Sequence, residues 1–572
     1  MQRSFLGARW QLAAAAADHI DAAQRRGIRH PAAARAAALR RTPDDPSWAP
    51  PSLEHLHDPH QMRGMDAALD RLRRAARDGE HLRVITDYDV DGTTSSLILG
   101  ATLRMFSPHT RIDQRIPDRF TEGYGFSEVA AERAIADGVQ LIVTADVGVR
   151  DHAAIAKARN GGVEVLVCDH HLPDGASVPD DALVLCPPQA GCGYPNKALA
   201  ACGVTTKLAQ ALLAKDPRLP RVLPSLLKLA AIGTVADMVS LATPENRAIV
   251  TLGLRALNQG PHTAGLTALL DVAGLTAGQI SAGDLGFRIG PRINAAGRIA
   301  HARHVIDLLG CRDATLAREL AAELDALNRE RQQLQQRLAA AAQAAVPSPT
   351  PSFVVVSGPE EDGWHRGVVG IVAARLKDAF HRPAAVVSIQ GDQAVGSVRS
   401  VPGVHAVDAL SSASHLLHRF GGHPAAAGFS LPASALPELA ARLSAWVDAN
   451  TPGDALDRTT RIDAEADAAT LSAALHAELS ALGPFGMGNP VPRLLIPNVR
   501  VRGVRTMGRE ASHLSFRVPT PQGDVRAVWW KQAAFASDLQ RGPVDLCATL
   551  EENTWNGRTT LQLNVVDARE AR

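Results

Sequence analysis

Three carboxylates alternate in Thr86-Asp87-Tyr88-Asp89-Val90-Asp91-Gly92-Thr93-Thr94-Ser95, directly after the apolar pair Val84-Ile85. At the end of a strand, such alternation points Asp87, Asp89 and Asp91 the same way. Like charges that close stay ionised only where cations neutralise them, so a bound metal is the natural reading. A solvated acidic turn is the alternative for an isolated D-x-D, but here further acids follow in similar settings. Leu141-Ile142-Val143-Thr144-Ala145 runs into Asp146, Val165-Leu166-Val167-Cys168 into Asp169-His170-His171, and Ala231-Ile232-Gly233-Thr234-Val235-Ala236 into Asp237. Oxygen ligands with one or two imidazoles suit Mn²⁺ or Mg²⁺ better than a thiolate-binding ion. Two such ions about 3.5–4 Å apart are the usual device for phosphoester hydrolysis. Phosphodiester cleavage is the chemistry to expect.

Positioning these groups takes a parallel sheet. Apolar strands that end in Asp or His, separated by helical stretches such as 127–136, have the pattern of a strand–helix alternation. Ligands bind beyond the carboxyl ends of such strands. One sheet edge would therefore gather Asp89, Asp91, Asp146, His170 and Asp237. A histidine in an apolar strand is ordinarily a satisfied core residue, but the pair in Asp169-His170-His171 follows two other acid-terminated strands and reads as functional.

The 572 residues are too many for one core, and 46% hydrophobic with 21% charged content is ordinary for a soluble globular protein. No run approaches the apolar length of a membrane span, and the alanine-rich 12–17 is cut off by Asp18 and His19. A cytoplasmic monomer without membrane contact is expected. Cys168, Cys186, Cys192, Cys202, Cys311 and Cys547 form no C-x-x-C pair and should remain reduced. The net charge of +1 lacks the strongly basic balance of many nucleic-acid binders. An acidic crevice can nonetheless be offset by an arginine-lined groove, for which Arg292, Arg298, Arg366 and Arg399 in glycine-rich motifs are candidates.

Residues 1–51 read as one amphipathic helix and a Pro-rich connector without chemistry. The acidic α/β region fills 52–310. Leu316, Leu320, Leu324, Leu327, Leu334 and Leu338 predict one long connector helix, stopped by the prolines of 347–351, so that helix and linker span 311–350. Phe353-Val354-Val355-Val356 opens a second α/β unit over 351–450. In 451–572, five β-prone runs at 499–504, 514–518, 525–530, 546–550 and 559–566 suggest a small barrel of the OB type. Trp529, Trp530 and Trp555 could stack bases there, at ~1–3 kcal/mol each, or fill the barrel core, with Trp530 pointing opposite to Trp529. Because every acidic motif precedes it, this region reads as separable, so its removal would weaken strand binding and spare hydrolysis of short oligonucleotides.

The segment 87–95, Asp146, Asp169-His170-His171 and Asp237 resemble the four motifs of the DHH phosphoesterase superfamily. Ile116-Pro117-Asp118-Arg119, Glu122-Gly123-Tyr124-Gly125, Pro291-Arg292-Ile293-Asn294-Ala295-Ala296-Gly297-Arg298, Gly363-Trp364-His365-Arg366-Gly367, Gly396-Ser397-Val398-Arg399-Ser400, Gly421-Gly422-His423 and Gly483-Pro484-Phe485-Gly486-Met487-Gly488-Asn489-Pro490 are similar to its RecJ-type branch, in that order, over about 53–568. The resemblance implies a single-strand-specific 5′→3′ DNA exonuclease of recombination and repair, with 351–450 as its DHHA1 domain and 451–572 as an OB-fold. A nanoRNA hydrolase or phosphatase of the superfamily, or a non-catalytic single-strand-binding scaffold, are the alternatives.

By the same resemblance, Asp91, Asp146, His170 and Asp237 would hold one ion, and Asp89 with a bridging Asp146 the other. Small phosphatases of the superfamily have a histidine where this chain has Ile85, which implies a weaker second site. Asp169 would orient an imidazole, His171 would meet the scissile phosphate or a metal water, and His423 would reach the same phosphate. Arg292, Asn294 and Arg298 would hold backbone phosphates. Arg119, Ser397 and Arg399 resemble the set that captures a 5′-phosphate, a task that suits the arginine fork. The implied partners are single-stranded DNA, a single-stranded-DNA-binding protein and a RecQ-type helicase.

Overall fold

The computed structural model describes residues 3–118, 122–123, 125–173, 175, 177–555 and 557–571, the side chain of Trp555 excepted. The chain forms two compact units, each assembled from separate stretches. The larger comprises Ala13–Leu327 and Asp463–Val566; the smaller comprises Met1–Leu12, Asn328–Ile462 and Asp567–Arg572.

The first strand, β1 (Arg9–Leu12), belongs to the smaller unit. The larger unit is built on β2 (Leu82–Thr86), β3 (Ile112–Arg115), β4 (Leu141–Ala145), β5 (Glu164–Cys168) and β6 (Leu183–Leu185), all parallel in the order β3-β2-β4-β5-β6. Strands β2 and β4 are buried throughout because both faces are covered. Val84, Val143 and Leu166 pack into one core with Leu69 and Leu72. Ile85, Ile142, Val165 and Val167 pack into another with Ile155. The strands thus end where the acids begin, as the alternation of motifs implied.

Two acids arrive by a different route. The chain leaves β2 at Thr86 and turns at once into the helix Val90–Phe106, so Asp89 is its N-cap, accepting Gly92 N–H at 3.0 Å, and Asp91 lies in its first turn. The run before Asp237 is the end of a helix, Leu219–Ala236, rather than a strand. A short apolar run carries no period that separates the two. By length and composition this helix is apolar enough to cross a bilayer, contrary to the expectation of no such segment. Here Leu223, Leu226, Leu227 and Ala230 are buried in the core.

The N-terminal segment holds two helices, Ala17–Arg25 and Pro31–Ala38, instead of one amphipathic helix. The second is nearly all alanine and buried, which lets it pack closely. The predicted connector helix runs Ala314–Ala344. Leu320, Leu324 and Leu327 pack into the larger unit, and Leu334, Leu338 and Ala342 into the smaller one.

In the smaller unit, β7 (Val354–Pro359), β8 (Ala384–Gln390), β9 (Gln393–Arg399), β10 (Arg419–His423) and β11 (Ala426–Pro432) form a mixed sheet in the order β10-β11-β9-β8-β7. Strand β1 pairs in parallel with β12 (Thr459–Ile462). Phe5 N–H donates to Ala568 O at 2.8 Å, Trp10 Nε1 to Asp567 Oδ2 at 2.9 Å, and Arg3 pairs with Asp457 at 3.0 Å.

The C-terminal strands β13 (Ala464–Glu465), β14 (Leu494–Val499), β15 (Arg502–Met507), β16 (His513–Val518), β17 (Val525–Trp529), β18 (Val544–Trp555) and β19 (Arg558–Glu570) form one sheet in the order β13-β14-β18-β19-β17-β16-β15. No pairing across its two edges closes a barrel among the described residues. Residues 463–566 belong to the same compact unit as the acidic sheet.

Candidate active site

Asp146 follows β4 with a left-handed backbone, φ 63°, a conformation rare outside glycine and concentrated at functional positions. His170 Nε2 lies 3.2 Å from Asp146 Oδ1, 3.6 Å from Asp237 Oδ2 and 3.9 Å from Asp91 Oδ2. His170 Nε2 and Asp237 Oδ2 are buried and lack a hydrogen-bond partner. Buried polar atoms are almost always satisfied within the protein or by something bound. Three carboxylates converging on one imidazole nitrogen are a fitting donor set for a hard divalent cation. Asp87, Asp89 and Asp146 make a second group whose oxygens lie within 4.8 Å of one another. Asp146 therefore adjoins both.

Burial is the main force on these carboxyls. It raises Asp146 and Asp237 well above the usual carboxylate range, reinforced by Asp89 and Asp91 at the first and by Asp91 and Asp89 at the second. Burial also raises Asp91, against the pull of His170. A cation would displace this unfavourable clustering of negative charge.

The surrounding elements orient these side chains. Asp91 Oδ2 accepts Ala201 N–H at 2.7 Å and Oδ1 accepts Cys202 N–H at 2.9 Å, at the start of the helix Ala201–Leu212. A carboxylate there satisfies free N–H groups and faces the positive end of the helix. Asp169 Oδ1 accepts from His170 N–H at 2.7 Å, His171 N–H at 3.2 Å and His171 Nδ1 at 2.8 Å; its Oδ2 accepts Val149 N–H at 3.0 Å. Although burial opposes it, this bonding holds Asp169 below its ordinary range and raises His171 despite that ring's burial. The imidazole that Asp169 orients is thus His171.

Asn294 and Arg298 sit four residues apart on one face of the helix Gly290–Ile299. A Cβ at Gly297 would come within 2.7 Å of Tyr88 O, so this helix lies directly against the acidic turn. Arg292, on the same helix, is held by protein groups: Nε to Asp325 at 3.0 Å, Nη1 to Arg288 O at 2.7 Å and Nη2 to Val272 O at 3.1 Å. It fastens the helix in place.

In the smaller unit, Arg399 Nη1 donates to Ser397 Oγ at 2.9 Å on β9, both beside Gly370 at the start of the helix Val369–Phe380. His423 ends β10 and is exposed. Arg119 lies outside the described residues, as does the side chain of Trp555.

Trp529 is a correction. It is 1% exposed and stacks on Phe535 with ring centroids 5.4 Å apart, so it fills the core. Trp530 follows it to the opposite side, 48% exposed and edge-on to His513 at 4.9 Å. His513 pairs with Met507 at the end of β15, and Arg500, Arg502, Arg505 and Arg509 are exposed along 500–509. Strand alternation beside a buried tryptophan was the signal for Trp530, and the first acid of the D-x-D-x-D series was the signal for Asp87.

Three family models match the chain: the DHH family, N-terminal domain, at residues 81–234, the DHHA1 domain at 350–449 and the RecJ OB domain at 462–567. The single-stranded-DNA-specific exonuclease RecJ of Bacillus subtilis is 36% identical over 518 residues, which are 90% of this chain and 64% of that protein. The enzyme of the same name from Dickeya dadantii is 34% identical over 549 residues, 90% of this chain and 91% of that one. The crystal structure of RecJ in complex with Mn²⁺ from Thermus thermophilus matches with a TM-score of 0.82 at 31% identity, covering 99% of this chain and 80% of that one.

Proposed function

Because this chain belongs to the RecJ family, we propose that it is a metal-dependent exonuclease that degrades single-stranded DNA from the 5′ end in recombination and repair. The observation that carries the reading is the convergence of Asp91, Asp146 and Asp237 on the unbonded His170 Nε2 beyond the ends of the parallel strands. These four residues would hold one Mn²⁺ or Mg²⁺, and Asp87, Asp89 and the shared Asp146 a second. Bound there, the ions would activate water and neutralise charge on the phosphoryl group. The second group lacks an imidazole, and Ile85 is buried in the core, so that site is the weaker of the two.

The protein's own groups do the rest. Asp169 holds the His171 ring in place and favours its charged form, leaving the other ring nitrogen to meet the scissile phosphate or a metal-bound water. Asn294 and Arg298 grip the neighbouring backbone. Ser397 and Arg399, side by side on β9, would take a terminal phosphate. Recognition through phosphates and stacking gives little base preference. A duplex must be opened first, so a RecQ-type helicase and a single-stranded-DNA-binding protein are fitting partners for a monomeric enzyme.

Digestion of 5′- and 3′-labelled oligonucleotides, single- and double-stranded, with Mn²⁺, Mg²⁺ or EDTA tests the whole reading. Release from a 3′ end, or activity that persists in EDTA, would overturn it. For the end pocket, Arg399→Ala should reduce the preference for a 5′-phosphate over a 5′-hydroxyl more than it slows the unphosphorylated substrate, because only the former loses a charge-assisted contact. Equal slowing of both would place Arg399 on the general backbone path.

The paired tryptophans separate binding from folding. Trp530→Ala is expected to weaken single-strand binding by ~1–3 kcal/mol, read by fluorescence anisotropy, with an unchanged melting temperature. Trp529→Ala should instead lower stability by about 3–5 kcal/mol.

A further inference from the structure

The glycine-rich segment 483–490 lies in the larger unit against the turn that follows Asp237. Leu241 N–H donates to Met487 O at 2.7 Å. A Cβ on Gly486 would stand 2.8 Å from Leu241 Cδ1, and one on Gly488, whose φ is +73°, would overlap Ser240 Oγ. At 488 the left-handed backbone and the Ser240 contact together call for glycine, whereas at 486 a methyl would have to push the Leu241 side chain aside. Asn246 Nδ2 also donates to Ser240 O at 2.9 Å. Between Asp237 and this clamp sits Met238, with a left-handed φ of 60°. A side chain keeps such a conformation only where the surroundings over-determine it.

The glycine-rich loop is itself rigidly held. Arg247 Nη2 donates to Leu482 O and Gly483 O, both at 3.0 Å. Asn489 Nδ2 donates to Leu482 O at 3.0 Å and Pro484 O at 2.9 Å. We propose that residues 483–490 are a positioning element of the metal site, clamping 238–242 so that Asp237 Oδ2 faces His170. The inference rests on the metal-site reading of Asp237. Groups that fix a metal ligand from behind typically govern about 10–100-fold in metal affinity.

The test uses two substitutions in the full chain. Gly488→Ala drives a methyl into Ser240 at a left-handed φ, whereas Gly486→Ala presses on Leu241 from an ordinary backbone conformation. Calorimetric titration of the DNA-free protein with Mn²⁺ is expected to show affinity about tenfold or more weaker in Gly488→Ala, and a smaller loss in Gly486→Ala. On a short 5′-phosphorylated oligonucleotide, kcat should fall while KM stays within about twofold. Adding Ser240→Gly to Gly488→Ala removes the clash and should recover part of the affinity. Parental Mn²⁺ affinity in folded variants would overturn the proposal. A loss confined to KM, or unfolding of both variants by circular dichroism, would do so too, because the loop would then serve binding or the general fold. If the parent binds no Mn²⁺, the metal reading itself fails, an outcome separate from equal binding by parent and variants.

Discussion

Asp146→Asn is expected to lower the rate of single-strand cleavage by at least about a thousandfold, equivalent to ~4 kcal/mol of transition-state stabilisation. Asp146 is the residue common to both acidic groups, 3.2 Å from His170 and clustered with Asp87 and Asp89. On the proposed reading its loss damages both cation sites at once. The same substitution should raise, not lower, the melting temperature in EDTA. Burial and neighbouring acids hold the Asp146 carboxyl well above its usual range, so a neutral amide of the same shape relieves repulsion in the metal-free protein. Cleavage within tenfold of the parent at saturating Mn²⁺ would remove Asp146 from the site. A lowered melting temperature in EDTA would show that its role is structural.

Glu245→Ala is expected to destabilise the larger unit by about 3–5 kcal/mol, because it strips the counter-charge from a buried ammonium. Glu245 is fully buried at the start of the helix Pro244–Gln259. Its Oε1 accepts Tyr194 Oη–H at 2.6 Å and His57 N–H at 3.0 Å, its Oε2 accepts Asn196 Nδ2–H at 3.2 Å, and Lys207 Nζ lies 3.5 Å away, also bonded to His57 O. Desolvation already pushes the Lys207 amine below its ordinary range. Urea unfolding should show the loss, and Lys207→Met in the same chain should return part of it by removing the stranded charge. A change under about 1 kcal/mol would mean that water replaces the carboxylate.

Several elements could be read directly from residues. Strands β2, β4 and β5 are largely apolar and run into acids, so a covered parallel sheet and the acidic edge beyond it were legible together. The leucine spacing of 316–338 reported the connector helix for the same reason, a period that nothing else produces. What failed was local geometry. Three alternating aspartates suggest a strand end, yet Asp89 is a helix cap and Asp91 is held by the start of a helix more than a hundred residues later. Asp237 follows an apolar run too short to declare its period. Trp529 and Trp530 are equivalent in composition and differ only in which side of β17 meets the core. The buttress of Gly486 and Gly488 depends on tertiary contact with Ser240 and Leu241, which local pattern does not encode.

The pairing of β1 with β12 also sets a timetable for synthesis. Arg3 meets its acidic partner Asp457 454 positions later, and Trp10 meets Asp567 557 positions later. At ~5–20 residues translated per second, the first strand emerges about 20–90 s before β12 exists to receive it. The α/β sheet of the larger unit, whose strands all fall within 82–185, can assemble during that interval, while residues 3–12 stay unpaired. A nascent chain arrested before residue 457 therefore carries an open N-terminal strand, exposed to proteases and to mispairing with other chains. Accessibility of that segment on stalled ribosomes is a direct readout of whether translation has passed β12.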